Sequence, residues 1–336
     1  MQGVGLVGVG YWGSNYLRVL REFDDFPLVA VCDSNPKNLE SAKARGIKKL
    51  YSSVAQLAAD REVGAVVVST PARTHYEVVR PLLEAGKHVL VEKPLATDSS
   101  EALELAELAR KKNVVLMVGH IFLFNGAVKK VKELVDSGAI GKINYAYATR
   151  TGLGPIRNDV NALWDLACHD VYILGHLIGA RPVSVMARGG SFVRSDIEDI
   201  VFLTLEYPGN VLASVHVSWL DPVKIRKLTI VGTSKMVVFD DIQVTEPVRV
   251  FDKGVSVEPK GAEFGEVKAL VRDGDIVSPK VVMREPLKAE VEHFYDCVRS
   301  GRKPVADGMA GYETVKVLEA AQKAVDAGGA KVEIEW

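Results

Sequence analysis

The chain reads as an α/β protein: an N-terminal Rossmann-type, doubly wound parallel sheet, then a C-terminal α+β domain on a large, mostly antiparallel sheet. Three observations predict this. From residue 3 to about 118, short β-branched runs alternate with stretches of helical periodicity. Beyond Arg181 the runs are longer and alternate apolar with polar residues. The third is length, because 336 residues exceed what one core usually holds, so two domains are expected. Residues 1–121 read as the first domain, and residues 122–336 as a substrate-binding and oligomerisation domain.

In the first part "GVGLVGVG", "PLVAVCD", "GAVVVST", "KHVLVEK" and "VVLMVGH" are continuous apolar runs, as strands covered on both faces require. Helical spacing fills the intervals Trp12–Glu22, Pro36–Arg45, Thr74–Glu84 and Ser99–Lys112. Right-handed crossovers then give a doubly wound sheet. A helix over about Asn125–Ser137 follows, then "KINYAYATR" and a strongly apolar helix around "NALWDLACHDVYILGHLIG". Hairpin signals at "YPGN" and "GTSK" join the later strands. "VFLTLEY" and "MVVFDD" carry few charges, so the face of this sheet away from the helices is expected to meet a second copy of the chain. Two amphipathic helices, near Leu287–Ser300 and Gly308–Ala327, close the chain, and Asp252–Arg284 reads as irregular.

Net charge is −1, from 42 basic and 43 acidic residues with no block of one sign, so neither nucleic acid nor a membrane surface is an expected partner. Partners should be small molecules and further copies of the chain. Cys32, Cys168 and Cys297 are far apart and odd in number, which suggests neither a disulfide framework nor a metal site. Strand-like sequence starts within a few residues of Met1 and no apolar run reaches spanning length, so a cytoplasmic location is expected.

Gly8, Gly10 and Gly13 form G-x-G-x-x-G between a strand and a helix, with Tyr11 and Trp12 inside the motif. The first glycine permits the turn, the second lets backbone approach a pyrophosphate, and the third lets helix and strand pack closely. Asp33 ends the next strand, at the right distance to accept the ribose hydroxyls of an adenosine. Its carboxylate would repel a 2′-phosphate and the nearest cation is Lys37, so NAD is favoured over NADP. A helix N-cap or a turn aspartate is the other reading of Asp33. "STPARTHYEV" and "EKPLATD" follow strands and lie at their carboxyl ends, where open α/β sheets bind ligands. Ser69, Thr70, Pro71, His75, Glu92 and Lys93 therefore join the cofactor candidates, and Lys93 is either the cation facing the nicotinamide or a surface turn lysine. The Lys93–Pro94 bond is open to the cis form.

On the helix beginning near Asn161, Asp165, His169, Tyr172 and His176 recur on one stripe beside an apolar stripe of Ala167, Val171, Leu174 and Ile178. Buried polar groups at a spacing of four can meet each other or a shared ligand. His169 is the functional candidate, and His176 reads as a core or interface histidine.

Together these residues resemble the Gfo/Idh/MocA oxidoreductases. The resemblance rests on "VGVGYWG", "TPARTHYEVV", "VEKPLA", "VGHIFLFNGAV" with "SGAIGKI", the Asp165–His169 pair, and "PLKAEVEHFYDCVRSGRKPVADG". It implies His169 as general base on a sugar hydroxyl, Asp165 orienting it, and Lys93 stabilising the alkoxide while hydride passes to the nicotinamide. "IRNDVNALWDLACHD" and "SWLDPVKIRKLTIVG" look nearest to the branch of UDP-N-acetylglucosamine 3-dehydrogenases. Two positions depart from that pattern: Cys168 stands where that branch usually has proline, and Phe124 where many relatives have a polar residue beside the substrate. The expected activity is NAD-dependent oxidation of a sugar hydroxyl, at C3 of a UDP-sugar. The alternatives are a free polyol or cyclitol such as myo-inositol as substrate, and a non-catalytic NAD(H) sensor, which would have no need of Lys93, Asp165 and His169 together. Candidate substrate contacts are Arg157, Asn158 and Asp159 on the loop entering the catalytic helix, then Asn125, Arg150 and Trp219. Asn125 can equally be an N-cap, Trp219 core packing, and Arg150 and Arg157 partners of acidic neighbours at a subunit contact.

Overall fold

The computed structural model describes residues 3–259 and 267–336. They form two compact units: Met1–Phe124 with Arg284–Glu319, and Asn125–Met283 with Ala320–Trp336.

The first unit begins with β1 (Gly3–Val7), α1 (Gly13–Leu20), β2 (Leu28–Cys32), α2 (Pro36–Ala44), β3 (Lys49–Tyr51), α3 (Val54–Ala59) and β4 (Val63–Val68). α4 (His75–Glu84), β5 (His88–Glu92), α5 (Ser99–Lys112) and β6 (Leu116–Gly119) complete its alternating part. All six strands are parallel, in the order β3-β2-β1-β4-β5-β6. β1 and β4 are buried along their whole length, which is why they read as unbroken apolar runs. They lie side by side with Val7 opposite Val68, so the loops after them, at residues 8 and 69, emerge together at the point where strand order reverses. The short β3 and α3 escape the sequence reading because three and six residues are too few to show a period.

The second unit opens with α6 (Gly126–Asp136) and β7 (Ile143–Leu153). A π-helical turn, Leu163–Ala167, leads into α7 (Cys168–Ile178). The strands β8 (Ser184–Gly190), β9 (Ile200–Tyr207), β10 (Val211–Ser218), β11 (Leu220–Gly232), β12 (Met236–Asp240), β13 (Val248–Pro259) and β14 (Val267–Val277) follow. With β15 (Val332–Glu333) they make a nine-stranded sheet in the order β14-β13-β12-β11-β7-β10-β9-β8-β15, antiparallel except for β10 on β7. Both predicted hairpins are present, Tyr207 opposite Val211 and Val231 opposite Met236. The segment read as irregular instead contains most of the β13–β14 hairpin, in which Gly254, Gly274 and the charged pairs Lys253–Asp273 and Asp252–Arg272 interrupt the alternation that signals a strand. One face of the sheet, with Ala146, Ala148, Leu203, Leu205, Val215 and Ile230, is buried. The other carries the exposed Tyr145, Tyr147, Phe202, Leu212 and Met186, and Phe202 stacks on His216 at 4.3 Å.

The chain then returns to the first unit with α8 (Pro286–Ser300) and the start of α9 (Gly308–Asp326). This corrects the expected boundary, which put everything after residue 121 in one domain. The reason is packing: Tyr295 of α8 sits 4.6 Å from Phe26 and 5.1 Å from Phe23, and Gly311 of α9 lies on Leu95 and Val118. Among the described residues no helix is long and apolar enough to cross a membrane.

Arg150 of β7 and Asp170 of α7 are both buried and joined by two hydrogen bonds, Nε to Oδ2 at 2.8 Å and Nη2 to Oδ1 at 2.9 Å. Asp170→Ala leaves the guanidinium buried without this partner, and chemical denaturation should show a loss of about 3–5 kcal/mol. The double replacement Arg150→Met with Asp170→Leu should lose much less.

Candidate active site

The cofactor loop is shaped by contacts that leave no room for side chains. Gly8 has φ +85°, and a Cβ there would lie 2.6 Å from the Ser69 carbonyl oxygen. A Cβ on Gly13, at the head of α1, would lie 2.1 Å from the Gly8 carbonyl oxygen. On Gly10, by contrast, a Cβ would meet no described atom within 4 Å. Gly8 and Gly13 thus close the turn, and Gly10 leaves open space beside the N-terminus of α1, of a kind that suits an anion such as a diphosphate. Asp33 supports the loop from β2. Its Oδ2 accepts from Val9 N at 2.8 Å and Asn38 Nδ2 at 2.9 Å, and its Oδ1 accepts from Asn35 N at 2.8 Å. A carboxylate has about four acceptor positions, so one remains on Oδ1 for a ribose hydroxyl. The helix cap of α2 is Asn35, not Asp33. Tyr11 projects into solvent, while the Trp12 indole donates to Glu92 Oε1.

Ser69, Thr70 and Pro71 form the loop after β4, beside Gly8, while Glu92 ends β5 and Lys93 begins the turn after it. The Lys93–Pro94 bond is cis. His75 joins these two loops: Nδ1 lies 2.7 Å from the Pro94 carbonyl oxygen and Nε2 2.9 Å from that of Thr70. It is 1% exposed, and burial pushes its pKa down. His75 is therefore a strut under the site, which corrects its reading as a cofactor contact. His120, at the end of β6, is equally buried, and burial, with Lys93 adding to it, pushes it down to about 3.

In the second unit the π turn carries Asp165 and the first turn of α7 carries His169. The sequence reading made this one regular helix; the π turn inserts a wider step between the two residues, a distortion frequent at functional sites. Asp165 is clamped: Oδ1 accepts from Arg157 Nη1 at 3.0 Å and Oδ2 from Trp219 Nε1 at 3.3 Å. Arg157 also grips Asp159 through Nε at 2.9 Å and Nη2 at 2.7 Å, and Asp159 first, then Asp165, hold its pKa above the ordinary value. Asn158 accepts from Arg194 at 2.9 Å. Arg157, Asp159, Asp165 and Trp219 are thus one connected group, with Trp219 buried and holding the aspartate. Two other expected substrate contacts are placed differently. Arg150 is committed to Asp170, and Asn125 caps α6, accepting from Ala127 N at 2.8 Å and donating to Asp241 at 3.0 Å. Phe124, marked in the sequence as a pocket position, is buried 5.3 Å from the His293 ring.

Sequence reasoning missed Tyr16, Glu290, His120 and Arg194. The first two are polar residues on apolar helix faces, a visible signal, but each gains meaning only from partners distant in the chain.

Residues 2–120 match the oxidoreductase family with an NAD-binding Rossmann fold, and residues 128–238 the GFO/IDH/MocA C-terminal domain. The chain belongs to the Gfo/Idh/MocA oxidoreductase family. Its first unit is accordingly NAD-binding, in agreement with the open space over Gly10 and the vacant acceptor position on Asp33. UDP-N-acetylglucosamine 3-dehydrogenase of Acidithiobacillus ferrooxidans is 28% identical over 96% of this chain and 97% of its own. Its crystal structure matches with a TM-score of 0.82 at 27% identity, over 96% of this chain and 97% of that one. Myo-inositol 2-dehydrogenase of Thermotoga maritima is 25% identical over 96% of both chains. GenD2 of gentamicin A biosynthesis, solved with NAD, matches with a TM-score of 0.83 at 25% identity over 100% of this chain and 97% of that one.

Gly13→Ala should push α1 away from the Gly8 carbonyl. Calorimetric titration should show NAD affinity down at least about tenfold, and denaturation a loss of about 1–3 kcal/mol, the usual range for overpacking.

Proposed function

We propose that the chain oxidises a sugar hydroxyl to a ketone with NAD as acceptor, and that the substrate is a UDP-sugar oxidised at C3, UDP-N-acetylglucosamine or a near relative. The observation that carries this reading is the clamped Asp165 one short step before His169, in a chain that matches a UDP-N-acetylglucosamine 3-dehydrogenase end to end. The first unit would hold NAD, which would supply the acceptor for the hydride leaving the carbinol carbon. His169 takes the hydroxyl proton, Asp165 fixes the imidazole, and Lys93 offsets the negative charge that develops on oxygen. The clamp holds Asp165 at one angle, which is what an orienting carboxylate must supply. Arg157 spends three of its five N–H groups on carboxylates, so Asn158 and the exposed part of the same loop are the better candidates to meet substrate. A cyclitol substrate is the second reading, favoured by the full-length match to myo-inositol 2-dehydrogenase.

The open face of the nine-stranded sheet is the surface we assign to self-association. Its exposed Tyr145, Tyr147, Phe202, Leu212 and Met186 form an apolar patch across four adjacent strands, with Arg188 beside Phe202 and Glu206 beside Leu212, and light scattering should report a particle larger than one chain.

NADH absorbance should rise when the protein and NAD meet a UDP-N-acetylhexosamine, and stay flat with myo-inositol. The reverse pattern would establish the cyclitol reading, and silence with both would point to another sugar or to an NAD(H) sensor. Lys93→Ala should lower kcat about 10²–10³-fold, as for loss of one group stabilising an oxyanion. Unchanged turnover in this variant would exclude the mechanism.

A further inference from the structure

Tyr16 of α1 is fully buried, and its hydroxyl faces two carboxyl groups: Glu92 Oε1 at 2.8 Å and Glu290 Oε2 at 3.0 Å. A phenol has one hydrogen to give. Both contacts are hydrogen bonds only if a second proton sits on one of the carboxyl groups and is donated to the phenol oxygen.

The surroundings decide which one. Burial raises Glu92 as well, but Glu92 collects three donors, the Tyr16 hydroxyl, the Trp12 indole and the Lys93 backbone N–H at 3.2 Å, which with the Lys93 ammonium offset part of that rise. Glu290 is 0% exposed, and among the described residues its Oε1 has no hydrogen-bond partner. Of the charged side chains on α1 and α8, Arg18 pairs with Glu22 and Glu285, Lys288 with Glu22, and Arg299 with Asp296, while the His293 Nε2 accepts from Val305 N at 3.1 Å and lies 3.5 Å from Cys297 Sγ. The helical turn Ile121–Phe124 that packs on α8 carries no ionisable group, and His120 before it is neutral. Burial, and then the charge on Glu92, push Glu290 well above the ordinary carboxyl value.

We propose that Glu290 is a carboxylic acid at neutral pH and the first donor of an ordered chain, Glu290 to Tyr16 to Glu92, that fixes Trp12 in the glycine loop and the backbone of Lys93. Glu290 is a positioning residue, acting on the NAD site through two other side chains. The idea stands on the first unit alone and is independent of which sugar is oxidised. Once Glu290 loses its proton, two carboxylates compete for one phenol hydrogen, the hold on Trp12 weakens, and NAD binding declines.

The test is infrared spectroscopy of the intact protein, with and without NAD, beside calorimetric NAD titration and melting curves from about pH 6 to about pH 9, the range of deeply buried carboxyls. Wild type should show a protonated-carboxyl carbonyl band at neutral pH that Glu290→Gln lacks. Wild-type NAD affinity should drop at least about fivefold across the range, the low end of coupling between sites, whereas Glu290→Gln should stay flat. A carboxyl whose value rises on folding stabilises at low pH and loses that contribution as pH rises, so the wild type's melting temperature should fall relative to Glu290→Gln. Tyr16→Phe, an independent variant, should keep the band and abolish the pH dependence of NAD binding. A neutral-pH band that persists in Glu290→Gln, no such band in wild type, or a pH dependence of NAD affinity that Glu290→Gln and Tyr16→Phe retain, would each overturn the proposal.

Discussion

The first unit depends on a close approach of backbone to backbone. Gly13 at the head of α1 lies so near the carbonyl of Gly8, and Gly8 so near that of Ser69, that no Cβ fits at either position. This contact sets how α1 leaves β1 and brings together the loops that follow β1 and β4, where strand order reverses. Everything assigned to the cofactor sits around it. Asp33 braces the loop from the end of β2, Trp12 ties it to Glu92 at the end of β5, and His75 spans the loops that carry Thr70 and Pro94. At Gly10 a Cβ would meet no described atom within 4 Å, which leaves open space at the head of α1.

The second unit solves a different problem, holding a charged carboxylate steady inside a largely apolar helix. Arg157 and Trp219 each donate to one oxygen of Asp165, and Asp159 keeps Arg157 in place. The π turn at Leu163–Ala167 makes Asp165 part of a wider helical step, with His169 on the regular helix that follows. Deeper in the same unit, Arg150 and Asp170 pair across β7 and α7, so the two arginines of similar promise in the sequence have separate duties.

What the sequence makes legible follows from the range of the forces involved. The parallel sheet is visible because its strands are buried on both faces, and the glycine loop because backbone geometry alone dictates its residues. The reading fails where partners are distant in the chain. Arg150 and Asn125 look like ligand contacts until Asp170 and Asp241 appear beside them, and Glu290 is one more acid on an amphipathic helix until Tyr16 meets it. The return of α8 to the first unit is invisible for the same reason, since its Phe294 and Tyr295 face is apolar whichever unit it covers. The π turn has no composition signal, and the β13–β14 hairpin hides behind glycines and charges.

The central claim is that backbone geometry at the Gly8–Gly13 turn builds a dinucleotide site and that Asp33 selects the cofactor within it. The most direct measurement is calorimetric titration of the intact protein with NAD and, separately, NADP. The account predicts that NAD binds at least about tenfold more tightly, a difference of about 1.4 kcal/mol, because a 2′-phosphate would face a carboxylate already anchored to Val9, Asn35 and Asn38. Equal affinity, or tighter binding of NADP, would contradict it.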